Sequence, residues 1–254
     1  MANMLLADVH AHLDMIGDNE RKAVVDRAVA AGVKVIITNS VDPKSIRKTL
    51  ELQQTFKIVQ AALGLYPTEA ARLSAAAIEG ELNFIRSCKG RIVALGEIGL
   101  DYQEAKGDRE RQQQQQLFER QLELANQLGK PVIIHSRQAE KNVVETLTRF
   151  GCKRVVLHAF HGNLKLVQAA AEAGFYITIP TNLRRSSHFQ AIVKQLPLSR
   201  LLTETDAPYL AAEKDGKSEP SHIAATVERI AAIKAMAPEE VANILYSNYQ
   251  RLFA

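Results

Sequence analysis

Cysteine is scarce in this 254-residue chain, which has only Cys88 and Cys152. Two thiols cannot build a disulfide scaffold, and their separation is not that of a metal-binding pair. They read as ordinary thiols in a reducing compartment, so a cytoplasmic location is expected. Long apolar runs are also missing. No stretch approaches the ~18 residues of a membrane helix, which excludes a membrane-spanning role by helices. The start, MANMLLADVHAHLD, reaches Asp8 and His10 too early for a signal peptide. Charge is nearly balanced: 32 Lys and Arg against 28 Asp and Glu leave a net +4. That excess is too mild to establish nucleic-acid binding by itself. It would understate the surface if several carboxylates were spent on metal. Nothing reads as an interdomain linker or a charged tail, so a single domain over 1–254 is expected. The one low-complexity tract, Gln112 to Gln116, lies within a helical pattern and reads as a solvated helix face. No segment reads as a dedicated interface, so no obligate protein partner is expected.

What the chain does have is alternation. Short apolar, β-branched runs recur: MLLADVH, VKVIITNS, KIVQAALGLYP, RIVALGEIGLD, PVIIHSR, RVVLHAF, FYITIP and LLTETDAP. They follow one another at about 28 residues, the size of a strand-plus-helix unit. Near-continuous apolar runs suit parallel strands covered on both faces. The segments between them carry helix signals. Asp42-Pro43 places an N-cap before a proline at the first helical position, and Gly32, Gly129, Gly151 and Gly174 follow helical stretches. Eight such units in about 250 residues predict an α/β fold, a (β/α)8 TIM barrel. A doubly wound open sheet is the alternative. It would more often show a glycine-rich phosphate turn after its first strand, and none is present.

Polar residues collect where the apolar runs end. His10 and His12 end the first run, His135 the fifth and His158 the sixth, with Glu97 on the fourth and Asp206 on the eighth. In a barrel these ends converge on one mouth, the face that carries chemistry. Singly, His135 reads as a core histidine and Glu97 as a helix cap or an arginine partner. Together, six polar groups at equivalent buried positions would be costly without a partner, and a metal cluster removes the cost. Four imidazoles and two carboxylates exceed the three protein ligands of a single catalytic ion. They suffice for two divalent ions sharing Glu97, one held by His10, His12 and Asp206, the other by His135 and His158. Paired ions clamp the attacking and leaving oxygens of an in-line displacement and acidify a water. The mixed nitrogen and oxygen donors leave Zn²⁺, Mn²⁺ and Mg²⁺ open.

At these residues the sequence resembles a known family. ADVHAHLD at 7–14, GEIGLDY at 96–102, PVIIHSR at 131–137, LHAFHG at 157–162 and TETDAPYL at 203–210 are similar to motifs of the TatD-related deoxyribonucleases. The likeness extends over nearly the whole chain. It implies a metal-dependent barrel of the amidohydrolase superfamily that hydrolyses DNA phosphodiester bonds, with ligands at His10, His12, Glu97, His135, His158 and Asp206. Three places depart from the usual pattern. Gly64-Leu65-Tyr66-Pro67 stands where G-x-H-P is usual, His158-Ala159-Phe160-His161-Gly162 where H-C-F-S-G is usual, and Ser218-Glu219-Pro220 where N-E-P is usual. None removes an expected ligand, and the first two alter the rim.

Phosphodiester cleavage needs cations around the phosphate beyond the metals. Arg137, Lys165, Arg184, Arg185, Lys214 and Lys217 fall on the same loops. Arg137, Tyr66, His161 and Lys217 are taken as the substrate-contact candidates. His161 is a candidate to supply the imidazole that Tyr66 replaces. Tyr66, Tyr102, Phe160 and Tyr209 are candidates to stack bases, as single-strand binders do. Glu97 and Asp206 are the catalytic candidates, with Asp206 orienting or deprotonating the attacking water. The expected activity is a deoxyribonuclease, an exonuclease acting on single strands or ends. The alternative is a barrel hydrolase of an amide, lactone or aminoacyl ester. A non-catalytic module with a structural metal is disfavoured by six mixed ligands and no closed cysteine set.

Overall fold

Each apolar run becomes a strand. The computed structural model describes residues 4–214 and 216–253. The strands are β1 (Leu6–Ala11), β2 (Val33–Asn39), β3 (Val59–Leu63), β4 (Ile92–Asp101), β5 (Val132–Arg137), β6 (Val155–Leu157), β7 (Tyr176–Pro180) and β8 (Leu201–Glu204). They pair in parallel in sequence order from β1 to β8. β8 then returns to β1: the Asp206 N–H donates to the His10 carbonyl at 2.8 Å, and Thr203 Oγ1 donates to the Ala7 carbonyl at 2.7 Å. This is the (β/α)8 barrel. A doubly wound sheet would reverse its strand order at a switch point, and no reversal occurs here.

The outer ring is α1 (Asp18–Ala30), α2 (Pro43–Thr55), α3 (Glu69–Arg72), α4 (Ala75–Ser87), α5 (Asp108–Leu128), α6 (Glu140–Arg149), α7 (Leu164–Glu172), α8 (Ser187–Gln195), α9 (Ile223–Lys234) and α10 (Pro238–Phe253). Local chemistry sets their ends. The Asp42 carboxylate caps α2 by accepting from the Ser45 N–H at 2.7 Å, with Pro43 at the first helical position. Gly129, at φ 63°, ends α5 in the left-handed region. The glutamine tract on α5 is not uniformly solvated. Gln114 is buried, and its amide accepts from the Asp101 N–H and donates to the Asp101 carbonyl. That pairing satisfies two backbone groups at the end of β4, a need invisible to helix propensity.

Inside the barrel, Ala7, Val9, Val35, Ile37, Ala62, Ala94, Ile133, Val156, Tyr176 and Leu202 form one cluster, joined by Tyr249, Leu252 and Phe253 of α10. Side chains alternate along a strand. From this layer, every second residue therefore faces the axis: Ile133 leads to His135, Val156 to His158, and Leu202 to Glu204 and Asp206. β1 and β4 do not follow the simple count. Asp8 pairs with Ile36 and Ala11 with Thr38, three steps against two. Leu95 pairs with Val132 and Ile98 with Ile134, again three against two. Each strand has an extra residue, and a bulge of that kind re-aims the side chains beyond it. Val9 and His10 thereby both serve the interior, as do Ala94 and Glu97.

Gly99 lies just past the second bulge. Its φ is +146°, and a Cβ there would sit 2.0 Å from the His135 carbonyl oxygen. Backbone cannot swing aside as a flexible side chain does. Gly99→Ala is therefore expected to cost about 3 kcal/mol, like other overpacked sites. In a chain of this size that lowers the melting temperature by about 6–12 °C. Calorimetry checks this, and an unchanged melting temperature would refute the close approach.

Candidate metal centre

Five strands deliver the six expected side chains to one buried cluster at the C-terminal mouth. The Nε2 atoms of His10 and His12 face each other at 3.1 Å. Glu97 Oε2 lies 3.6 Å from His10 Nε2 and 3.4 Å from His12 Nε2. Asp206 Oδ1 lies 3.4 Å from each of the same two nitrogens. Glu97 Oε1 turns the other way, 2.7 Å from His135 Nδ1 and 3.9 Å from His158 Nε2. The glutamate thus presents one oxygen to each half of the cluster. Asp206 Oδ1 also reaches 3.9 Å from His158 Nε2. Three overlapping triplets have donor atoms close enough to share an ion: His10, His158 and Asp206; His10, His12 and Glu97; Glu97, His135 and His158.

Each imidazole but His10 has its far nitrogen tied. His12 Nδ1 donates to the Asn39 carbonyl at 3.0 Å, and His158 Nδ1 donates to Glu204 Oε2 at 2.8 Å. His135 Nε2 lies 3.1 Å from Asp101 Oδ2. Such partners fix ring orientation and raise donor strength. The His10 ring is held by stacking on His158, with centroids 3.7 Å apart and planes 10° from parallel. Asp206 is held through its backbone. Its φ is +52°, unusual for a residue other than glycine, and costs about 1–2 kcal/mol. The hydrogen bonds from its N–H to His10 and from the Tyr209 N–H to its carbonyl, at 2.8 and 2.7 Å, keep it there.

Asp101, Glu204, Asn39 and Asp8 support the cluster, and sequence reading did not single them out. Two of them had a signal. Glu204 precedes Asp206 by two residues, and Asp101 follows Glu97 by four, so each shares a strand face with a ligand candidate. Asp8 works from the opposite face of β1. It accepts from the Thr205 N–H at 3.0 Å and Thr205 Oγ1 at 2.5 Å, tying β8 to β1. Burial pushes its carboxyl up to about 8, against those hydrogen bonds.

Charge in the cluster is set by burial and pairing together. Burial would raise Glu97, but His12 and His135 hold it well below the usual carboxylate range. Burial would also raise Asp206, but His158, His10 and His12 hold it low. Burial disfavours charge on His158, yet Glu204 and Asp206 outweigh it and raise the ring to about 9. His10 moves down, through burial first and the His158 charge second. Protons on imidazole therefore occupy positions between carboxylates, where a divalent cation meets the same electrostatic demand. Ligating nitrogens must be unprotonated, so ion binding displaces those protons. The buried nitrogen and oxygen donors fit a borderline or hard divalent metal.

A cavity of about 410 Å³ opens over the cluster. Arg137, Tyr66, Arg72, Tyr209 and Met15 line it together with His12, Glu97, His135, His158 and Asp206. Two of the substrate-contact candidates, Arg137 and Tyr66, are thus beside the cluster. The other two are not part of this lining. Lys217 borders a separate cleft with Arg184, His222 and Arg229. The His161 ring stacks on His188 at 5.4 Å, and its Nδ1 donates to the Ala159 carbonyl at 2.6 Å. Arg185 is also engaged, donating to the Ala211 carbonyl at 3.1 Å. Tyr102 carries Arg111 over its ring, and Phe160 is buried in the outer core.

The family model described as TatD related DNase matches residues 7–254. The putative deoxyribonuclease TATDN3 of Mus musculus is 33% identical, over 98% of this chain and 88% of that protein. The uncharacterized metal-dependent hydrolase YabD of Bacillus subtilis is 32% identical, over 98% of this chain and 99% of that protein. Among solved structures, the TatD homologue YjjV of Escherichia coli superposes with a TM-score of 0.89 at 30% identity, covering 98% of this chain and 97% of that one.

Proposed function

The chain belongs to the TatD-related DNase family of metal-dependent hydrolases, and we propose that it cleaves DNA phosphodiester bonds at a centre of two divalent ions. The observation that carries this reading is the split glutamate: Glu97 turns Oε2 to His10 and His12 and Oε1 to His135 and His158. His10, His12 and Asp206 would hold one ion and His135 and His158 the other, with Glu97 shared. When bound, the ions supply positive charge to the phosphate oxygens and acidify the attacking water.

The protein's own groups do the rest. Asp206 lines the cavity with its carboxylate kept ionised, so it can orient the water and take its proton. The water oxygen bonds to phosphorus, the bond from phosphorus to the leaving sugar oxygen breaks, and solvent protonates that oxygen. Arg137, exposed at the end of β5 beside His135, neutralises a non-bridging phosphate oxygen. Lys217 and Arg184 lie on the loops after β8 and β7, where they would meet phosphates further along a strand.

The cavity suits a single nucleotide better than a duplex, which is why ends and single strands are the expected substrates. Tyr209 is 54% exposed at the cavity edge beside Met15, which is 41% exposed. Its ring stands edge-on to His12, 6.3 Å away. That placement offers an aromatic face to an unpaired base. The buried free thiols Cys88 and Cys152 suit a cytoplasmic setting.

The test is an assay on metal-reconstituted protein, comparing single-stranded and duplex oligonucleotides with small esters and amides. Cleavage of single strands, suppressed by salt, is the expected outcome. Turnover of small esters with no cleavage of any oligonucleotide would overturn the reading. Tyr209→Ala is expected to raise KM for a single-stranded substrate about 10-fold, the worth of one stacked base. Steady-state kinetics would show kcat changing less than KM, and an unaltered KM would remove Tyr209 from the substrate path.

A further inference from the structure

We propose that Tyr66 is a positioning residue, whose hydroxyl decides which nitrogen of His135 faces the cluster. This rests on the reading of the cluster as a metal centre. Three polar atoms meet behind His135. Tyr66 Oη is 2.6 Å from Asp101 Oδ2 and 2.9 Å from His135 Nε2, and Nε2 is 3.1 Å from the same Oδ2.

Counting protons resolves this triangle. Asp101 Oδ1 already accepts the N–H groups of Gln103 and Glu104, each at 3.0 Å. Its backbone is fastened at both ends by the Gln114 amide. The carboxylate is therefore rigid, and Oδ2 has only lone pairs to offer. The 2.6 Å contact requires a proton, and Tyr66 has one, so the hydroxyl donates to Oδ2. What it then turns toward His135 is a lone pair. Nε2 thus faces two acceptors and no donor, and must carry a hydrogen. With that hydrogen fixed on Nε2, Nδ1 is the nitrogen left to serve the cluster, 2.7 Å from Glu97 Oε1, and the proton it donates to that carboxylate is the one a bound ion would displace. The opposite tautomer would point a bare Nε2 at two acceptors. Such mismatch inside a buried site is costly.

The tyrosine is itself fixed. Its N–H donates to the Val41 carbonyl at 2.8 Å, and its ring leans on the imidazole with centroids 4.7 Å apart. A phenol keeps its proton at neutral pH, so the hydroxyl is a donor. Asp101 alone would leave His135 one acceptor and greater freedom to tilt. Tyr66 supplies the second acceptor and completes the shell of Asp101.

The test is Tyr66→Phe, with Mn²⁺ titrated calorimetrically into the demetallated protein. Loss of an outer partner of a ligating histidine typically weakens metal binding 10–100-fold. The expected result is weakening of about that size for one of the Mn²⁺ ions, with KM for an oligonucleotide at saturating Mn²⁺ near the wild-type value. Unchanged Mn²⁺ affinity with a raised KM would overturn the proposal and make Tyr66 a substrate contact. Nitrogen-15 spectra of the wild-type imidazoles give an answer that does not depend on the variant folding. In Zn²⁺-loaded protein a hydrogen on His135 Nε2 is expected, and a hydrogen on Nδ1 with Nε2 bare would refute the assignment. The Mn²⁺ affinity and the imidazole spectra are read without DNA, so the proposal can fail while the nuclease reading stands. A wild-type protein that takes up no Mn²⁺ would overturn both.

Discussion

Glu97→Ala is expected to lower kcat/KM by about 10⁴-fold, close to 5 kcal/mol of barrier. The reason is geometric. Glu97 Oε2 faces His10 and His12, whereas Oε1 faces His135 and His158. Removing the side chain strips an oxygen from both halves of the proposed centre. It also leaves the buried imidazoles short of a counter-charge, which is strongly destabilising in a site this enclosed. His158→Ala takes one nitrogen from one half and is expected to cost about 10²-fold, in the range seen when a single part of a site is lost. The comparison needs metal content measured in each variant, so that lost ions are not mistaken for lost chemistry. Equal losses for Glu97→Ala and His158→Ala would argue against the shared glutamate.

Chelation is expected to abolish turnover, and added Mn²⁺, Zn²⁺ or Mg²⁺ to restore it. Besides the cluster's own imidazoles, the cations among the described residues lining the cavity are Arg72 and Arg137. Arg72 is engaged with Glu69 at 3.1 Å, which leaves Arg137. One guanidinium can stabilise charge but cannot acidify water. Ions held by this cluster would bind the folded state preferentially, so stripping them should lower apparent stability, by about 2.7 kcal/mol for a site held at a hundred times its Kd. Melting temperature and activity should fall together during chelation and recover together. Full turnover in protein shown to be free of metal would sink the two-ion reading.

Much of the site was legible because three strands obey the simplest rule. On β5, β6 and β8, residues two apart share a face, so His135, His158 and Asp206 follow directly from Ile133, Val156 and Leu202. The supporting shell was harder to see. Asp101, Glu204 and Asn39 are polar residues at strand ends, and nothing local distinguishes an outer partner from a ligand. What separates them is reach: Glu204 stops at His158 Nδ1, and Asp101 at His135 Nε2. The rim was least legible. His161 and Lys217 sit on loops after the correct strands, yet one stacks on His188 and the other borders the cleft with Arg184. A loop's direction depends on what it packs against, and its own residues carry little of that information.

The amino-acid sequence by itself determined the barrel and the residue types of its mouth. Eight apolar runs at a regular step need eight helices to cover them, and burying polar groups at their ends demands a common partner. Only the tertiary structure decided which way β1 and β4 present their ligands. Alternation from Ala7 and Val9 would turn His10 outward, and alternation from Ala94 would turn Glu97 outward. The pairing of Asp8 with Ile36 and Ala11 with Thr38, and of Leu95 with Val132 and Ile98 with Ile134, inserts one residue in each strand and reverses that outcome. A bulge exists only relative to a neighbouring strand, because the extra residue is extra only against a partner's count. No single run of residues contains that comparison, so the inward turn of His10, His12 and Glu97 is a property of the assembled sheet.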